Sequence, residues 1–109
     1  TISADGKTGG GEILLGGDWQ GSGDLLQATY INIDDATTIS ADALESGSGG
    51  TIVAWSDIKN ANSFTKVSGT LSAKGIDGDG GQIETSGAEL DTNGIKIDTS
   101  SISGSLVIG

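Results

Sequence analysis

Short runs of alternating apolar and polar residues recur behind pairs of glycines along this chain, and they align with one another. Gly10-Gly11, Gly49-Gly50 and Gly80-Gly81 lead into Glu12-Ile13-Leu14-Leu15, Thr51-Ile52-Val53-Ala54 and Gln82-Ile83-Glu84-Thr85. A weaker fourth run, Ser105-Leu106-Val107-Ile108, follows Gly104. Ile13, Ile52, Ile83 and Leu106 share one column, and Leu15, Ala54, Thr85 and Ile108 share the column two residues on. Residues two apart lie on one face of a strand, so this face reads as dry. The intervening columns, Glu12-Thr51-Gln82-Ser105 and Leu14-Val53-Glu84-Val107, are mixed and mostly polar, which predicts a wet face. A second set of runs precedes each glycine pair: Ile2-Ser3-Ala4, Ile39-Ser40-Ala41 and Leu71-Ser72-Ala73, with Ile97-Asp98-Thr99 as a degraded copy.

Self-similarity at a spacing of tens of residues predicts a solenoid. The spacing shrinks along the chain, from 39 residues between Gly11 and Gly50 to 31 between Gly50 and Gly81 and 23 between Gly81 and Gly104. A unit near the shortest spacing, with longer loops bulging from the first two turns, accounts for all three intervals. Equivalent strands separated by a whole turn rather than a hairpin must stack in parallel, so like residues pile on like. The predicted fold is all-β, a parallel β-helix with two inserted surface loops. Right-handedness follows from the crossover preference of parallel strands. The predicted core columns are Ile13, Ile52, Ile83 and Leu106, with Ile39, Leu71 and Ile97 on the second set of runs.

The stretches between these runs read as corners and loops. Gly16 to Ala28 predicts a projecting loop, in which Leu25-Leu26-Gln27-Ala28 has the character of a short helical turn. Thr29 to Asp34 returns to strand with Ile31 and Ile33 inward, and Asp42 to Gly49 forms a corner long enough for one helical turn. Asp57 to Ser63 is the second insertion, with the composition of an exposed loop. Phe64 to Ala73 predicts two strands, with Val67 and Leu71 inward and a bend at Gly69. The strand at Thr1 to Ala4 begins abruptly and Ser105 to Ile108 carries no cap. Residues 1–109 therefore read as a single segment of a longer solenoid, whose open edges would pair with neighbouring coils or with identical subunits end to end.

Composition changes this picture in one respect. Aromatics are 4% and Met, Cys and Pro are absent, so a conventional globular core is hard to build, while 20 Gly suit a fold with several tight corners per turn. A disordered linker has a similar composition, but a linker has no reason to keep Ile in register over four copies. The net charge of −10 speaks against nucleic acid and anionic membrane surfaces as partners. No segment approaches the roughly 18 apolar residues of a transmembrane helix. The absence of His excludes His-dependent nucleophile triads.

A resemblance now enters on particular residues. Ile39-Ser40-Ala41-Asp42-Ala43, Gly47-Ser48-Gly49-Gly50, Ile52-Val53-Ala54-Trp55-Ser56-Asp57, Phe64, Gly69, Leu71-Ser72-Ala73, Gly78-Asp79-Gly80-Gly81 and Glu84-Thr85-Ser86-Gly87 together resemble a repeat of filamentous-haemagglutinin-like large exoproteins, which are exported by two-partner secretion. Gly16-Gly17-Asp18-Trp19-Gln20-Gly21 resembles the stretch that precedes this repeat. The resemblance covers about residues 10 to 100 and implies a right-handed parallel β-helix, export, and a place at the bacterial cell surface as an adhesin or fibre.

Candidate chemistry is sparse. Asp77 and Asp79, in Asp77-Gly78-Asp79-Gly80-Gly81, resemble one copy of a calcium-binding β-roll turn, with a solvated corner as the plainer reading. No cofactor is expected. Asp34-Asp35, Asp18 and Asp24 are further loop carboxylates, read as soluble surface. Trp19, Tyr30 and Trp55 are the aromatic candidates. They either stack on sugars or partner proteins, or pack where the first insertion folds back over Val53 and Trp55, which avoids a large apolar stripe. The expected function is non-enzymatic: a secreted or surface-bound rod that displays its two loops to host glycans or proteins. The alternative is a fibre subunit that stacks end to end by strand addition. More distant is a carbohydrate-active enzyme, which needs two facing carboxylates.

Overall fold

The computed structural model describes residues 1–17, 28–57, 59, 61–76 and 78–99, and the backbone of 105–108. These residues are all-β and contain no helix. The strands are β1 (Ile2–Ser3), β2 (Glu12–Leu15), β3 (Tyr30–Ile33), β4 (Thr38–Ser40), β5 (Thr51–Trp55), β6 (Phe64–Val67), β7 (Thr70–Ser72), β8 (Gln82–Ser86), β9 (Glu89–Asp91), β10 (Lys96–Asp98) and β11 (Ser105–Ile108). They form three sheets: sheet A in the order β1-β4-β7-β10, sheet B in the order β2-β5-β8-β11, and sheet C in the order β3-β6-β9. All strand pairings within them are parallel. The chain thus visits A, B and C in turn three times and begins a fourth circuit.

Register follows the alternation. In sheet B, Ile13, Ile52, Ile83 and Leu106 are successive Cα partners. Sheet A stacks Ile2, Ile39, Leu71 and Ile97 in the same way. Among these, Ile39, Ile52, Leu71 and Ile83 are fully buried and meet Ile33, Val67, Ala41 and Ala73 in one core. In each of the first three circuits an alanine closes sheet A. Its carbonyl accepts from the glycine that opens sheet B: Gly11 N–H to Ala4 (2.6 Å), Gly50 N–H to Ala41 (2.7 Å) and Gly81 N–H to Ala73 (2.7 Å).

The glycine pairs are there because adjacent circuits pass too close for a side chain. A Cβ on Gly50 would overlap the carbonyl oxygen of Gly11, and one on Gly81 would overlap that of Gly50. This is backbone against backbone, which cannot be relieved by turning a rotamer.

The shrinking repeat is explained mainly at one corner, which accounts for six of the eight residues lost at each step. Fourteen residues separate β2 from β3, eight separate β5 from β6, and only Gly87-Ala88 separate β8 from β9. The insertions therefore sit between sheets B and C, while the strands on either side keep their register. Strand β9 was not foreseen, because Glu89-Leu90-Asp91 offers one apolar residue between two carboxylates; only its pairing with β6 defines it.

Two expectations are overturned. The Asp42–Gly49 corner carries no helical turn. Its amides are taken by neighbouring circuits: Leu44 N–H donates to Gly6 O (2.8 Å), Glu45 and Ser46 N–H to Lys7 O (3.0 and 2.9 Å), and Gly47 N–H to Ile76 O (2.6 Å). With those partners available, the i to i−4 bonds of a helix have no amides left to use. The helical turn expected at Leu25 to Ala28 falls on residues 25–27, outside the described residues.

The second correction concerns the wet face of sheet B. Val53, Trp55, Glu84 and Ser86 are buried on it, so β5 and β8 are covered on both faces. Part of the reason is at Gly17, where the chain leaving β2 lies on the Trp55 indole; a Cβ there would come within 2.7 Å of Trp55 Cδ1. Glu84 keeps a donor in this setting, since Ser86 Oγ bonds its Oε2 at 3.1 Å.

The interior is not wholly apolar. Near the corner between sheets B and C, Thr65 Oγ1 shares hydrogen bonds with Ser56 Oγ (2.7 Å) and Ser86 O (2.8 Å). Thr85 Oγ1, buried on the Ile83 face, has no hydrogen-bond partner among the described residues.

Two stability predictions follow from these positions. Gly50→Ala should destabilise the chain by more than about 2 kcal/mol in urea unfolding followed by circular dichroism, while Ser48→Ala, on the exposed corner, should stay within about 0.5 kcal/mol. Thr85→Val, which removes an unsatisfied buried hydroxyl, should raise stability by about 1 kcal/mol.

Candidate functional site: a corner ladder, an aromatic pair and open sheet edges

The corner that follows each strand of sheet A carries a repeated polar device. Ser3, Ser40 and Ser72 stack in register, and Asp5, Asp42 and Lys74 stand two residues on. Asp5 accepts the Asp42 backbone N–H at Oδ1 (2.7 Å), and the hydroxyls of Ser3 and Ser40 at Oδ2 (both 3.0 Å). One circuit later, Asp42 Oδ1 accepts the Lys74 backbone N–H and the Ser72 hydroxyl, both at 2.7 Å. Each carboxylate thus bonds an amide and a hydroxyl of the next circuit. At the third circuit the position holds Lys74, and the carboxylates stop.

The Asp5 carboxyl is held below its ordinary range. The Asp42 amide is the main cause; burial opposes it, and the hydroxyls of Ser40 and Ser3 and the charge of Lys74 add to it. This ladder was missed from sequence, although the Asp after Ser-Ala in two of the copies was its visible trace.

The second feature lies on sheet C. Tyr30 and Phe64 are register partners, and their rings stack with centroids 6.1 Å apart and planes at 22°. Tyr30 is 61% exposed, and Glu89 continues the column. Trp55 has the opposite character, at 4% exposure on the covered face of sheet B. Trp19, Asp18, Asp24 and Asp77 lie outside the described residues. Asp79 is exposed, and its carbonyl accepts Gly49 N–H at 2.9 Å. Asp34 closes its own turn by accepting Ala36 N–H (3.1 Å) and the Thr37 hydroxyl (2.7 Å), with Asp35 exposed beside it.

The third feature is the end of the stack formed by β1, β2 and β3, each of which is the edge strand of its sheet. Between them opens a cleft of about 340 Å³, lined by Ile2, Leu15, Ile31 and Ile39 within and by Tyr30 at its rim. A second cleft, of about 360 Å³, lies at the corner between sheets A and B, where exposed Leu44 and Ile76 flank Asp42 and Lys74. Neither cleft is lined by two carboxylates.

Of the second insertion, Ser63 is the anchor. Its hydroxyl donates to Asp57 O (2.6 Å) and accepts Ala88 N–H (3.3 Å), which ties the loop to the two-residue turn of the next circuit. Among the described residues, no group of three or more His, Cys, Asp or Glu is arranged to hold a metal ion. Likewise no helix among them is long and apolar enough to cross a membrane. Comparison with family models, curated proteins and solved structures returns no match.

The depressed Asp5 carboxyl gives a pH prediction. A carboxyl whose folded pKa lies below its unfolded value, roughly 3.9 for Asp, contributes stability that is present above that value and lost as pH falls through the folded pKa. The urea midpoint should therefore drop as pH is lowered from about 5 towards 3, and Asp5→Asn should flatten part of that drop while lowering the midpoint at pH 7.

Proposed function

We propose that this chain is a non-enzymatic segment of a secreted, right-handed parallel β-helix of the filamentous-haemagglutinin-like kind, a stiff rod that carries variable loops away from a bacterial cell surface. The observation that carries the reading is the concentration of most of the length variation at one corner, between sheets B and C, while the strands beside it remain in register. Such an arrangement changes what is displayed without changing the rod. The ordered series of residues from Ile39 to Gly87, quoted above for its resemblance to exoprotein repeats, supports the same reading.

Rigidity in this account comes from stacked Ile, Leu and Val columns and from backbone bonds that run along the axis, circuit to circuit. The loops at Gly16 to Ala28 and Asp57 to Ser63 are the display elements, with host glycans or proteins as partners. Tyr30 and Phe64 add an aromatic surface on the neighbouring sheet, of a kind that suits sugar rings or apolar side chains. The carbohydrate-active alternative gains no support from the clefts, since two carboxylates flanking a bond are its minimum requirement. The fibre alternative does have one observation in its favour, the three edge strands gathered at one end.

Electron microscopy of the purified chain over a concentration series, with and without Ca²⁺, separates the two readings. Short, monodisperse particles are expected, together with binding to members of a glycan and host-protein panel that is lost when residues 57–63 are replaced by a Gly-Ser loop. Long filaments one rod wide, with no panel binding, would sink the display reading in favour of the fibre.

A further inference from the structure

One exposed turn combines an amide side chain, a glycine and a free backbone nitrogen. Between β9 and β10, Ile95 N–H donates to Thr92 O at 3.1 Å, and Asn93 and Gly94 are both exposed at the centre of the turn so closed. Gly94 has φ +85°, a value that favours glycine. The Asn93 N–H donates to Asp91 Oδ1 at 2.9 Å, but the Asn93 side chain makes no hydrogen bond among the described residues. Neither does the Gly94 N–H.

The matching turn of the first circuit is built differently. There Thr37 N–H closes the turn on Asp34 O at 3.2 Å, and the amide of its third residue, Ala36, is taken by Asp34 Oδ1 at 3.1 Å. Gly6, which follows Asp5, likewise has its amide bonded, to Asp42 O at 3.0 Å. Gly94 is unbonded and has room to turn: a Cβ placed on it would meet nothing nearer than Ser68 Cβ at 3.7 Å. Asn32, Asn60 and Asn62 precede Ile33, Ala61 and Ser63, whose side chains crowd the amide that follows each asparagine. Asn93 alone precedes a glycine.

We infer that Asn93-Gly94 is a site of spontaneous deamidation, a covalent change that the chain's own backbone carries out with water as the only co-reactant. Solvent base removes the Gly94 amide proton, and that nitrogen forms a bond to Cγ of Asn93. The bond from Cγ to the side-chain nitrogen breaks, and the side-chain nitrogen takes up a proton and leaves as ammonia. Water then opens the cyclic imide at either carbonyl. Opening at Cγ gives aspartate, while opening at the main-chain carbonyl gives isoaspartate, with Gly94 now joined through the side chain. Nothing is oxidised or reduced. Either product adds one negative charge to a chain already at −10, two residues from Asp91. The isoaspartyl product also inserts a methylene into the backbone between β9 and β10. The inference is independent of the display reading.

The test follows the full chain during incubation at neutral and at mildly alkaline pH, both folded and unfolded in guanidinium chloride. The tryptic peptide Gly75–Lys96 is read by mass spectrometry, with fragmentation that separates aspartate from isoaspartate. Both products should appear at position 93 before any change at Asn32, Asn60 or Asn62, and faster at the higher pH because the attacking nitrogen must first lose its proton. Opening an exposed turn costs close to nothing, so conversion in the folded chain should stay within about tenfold of that in the unfolded chain. An Asn93→Gln chain should show no mass gain in this peptide over the same period. Folded-state conversion slower than that limit would mean that the fold locks the turn, and overturns the inference. Earlier modification at another asparagine, or a mass gain that persists in Asn93→Gln, overturns it as well.

Discussion

The rest of this structure depends on one constraint: parallel pairing in register places every residue directly against its counterpart in the next circuit, about 4.8 Å away. Like must therefore tolerate like. For Ile13, Ile52 and Ile83 the requirement is favourable, since identical branched side chains nest. For Gly50 and Gly81 it is absolute, because the neighbouring carbonyl occupies the space a side chain would need. For carboxylates it is adverse. Two unit charges at that separation repel by only about 1 kcal/mol in water, but by more wherever solvent is excluded. The corner of sheet A meets the difficulty by placing an amide and a hydroxyl of the next circuit against each of Asp5 and Asp42, and by ending the column in Lys74.

The same constraint explains where polar groups enter the interior. The column Leu15, Ala54, Thr85 loses apolar area from one circuit to the next, and near it Ser56 and Thr65 bring hydroxyls inside. Two of these three hydroxyls satisfy each other and the Ser86 carbonyl, while the Thr85 hydroxyl does not. The corner that carries the inserted loops is thus also the one with the most polar interior. Ser63, buried and bonded to both Asp57 and Ala88, shows how an insertion is closed there without disturbing the strands.

Much of the strand layout was legible from period-two alternation and internal repetition. The columns through Ile52 and Ile39 were readable because a repeat repeats its core, and the strands at Glu12, Thr51, Gln82 and Ser105 all begin where the alternation places them. Three features were illegible or only half legible, each for a physical reason. Strand β9 has no apolar pattern of its own and exists through its partner. The cover on sheet B is a tertiary event: alternation alone made Val53 and Glu84 a wet column, and only the size of the apolar stripe beside Trp55 suggested that the first insertion folds back over it, as Gly17 lying on the indole does. The Asp42 corner has helical composition, but its amides have better acceptors in the circuits on either side. Of the candidate residues, Tyr30 proved to be half of a stacked pair whose other member, Phe64, comes from 34 residues away, a distance no local pattern spans.

Among the described residues the inter-strand ladder contains no hairpin: its nearest partners in sheet B are 23 residues apart and its farthest 39. Each pairing therefore requires closing a loop of that size before any ladder bond can form, and closure entropy rises only slowly with loop length. Folding of such a chain starts with a slow, non-local first contact, after which each further circuit meets a ready-made edge and adds quickly. Order of arrival then matters more than overall stability. A chain that emerges gradually from one end presents its circuits one at a time, in the sequence in which they stack, whereas one diluted whole from denaturant must find its first pair among four near-identical candidates. Refolding from denaturant should populate out-of-register pairings that gradual emergence avoids.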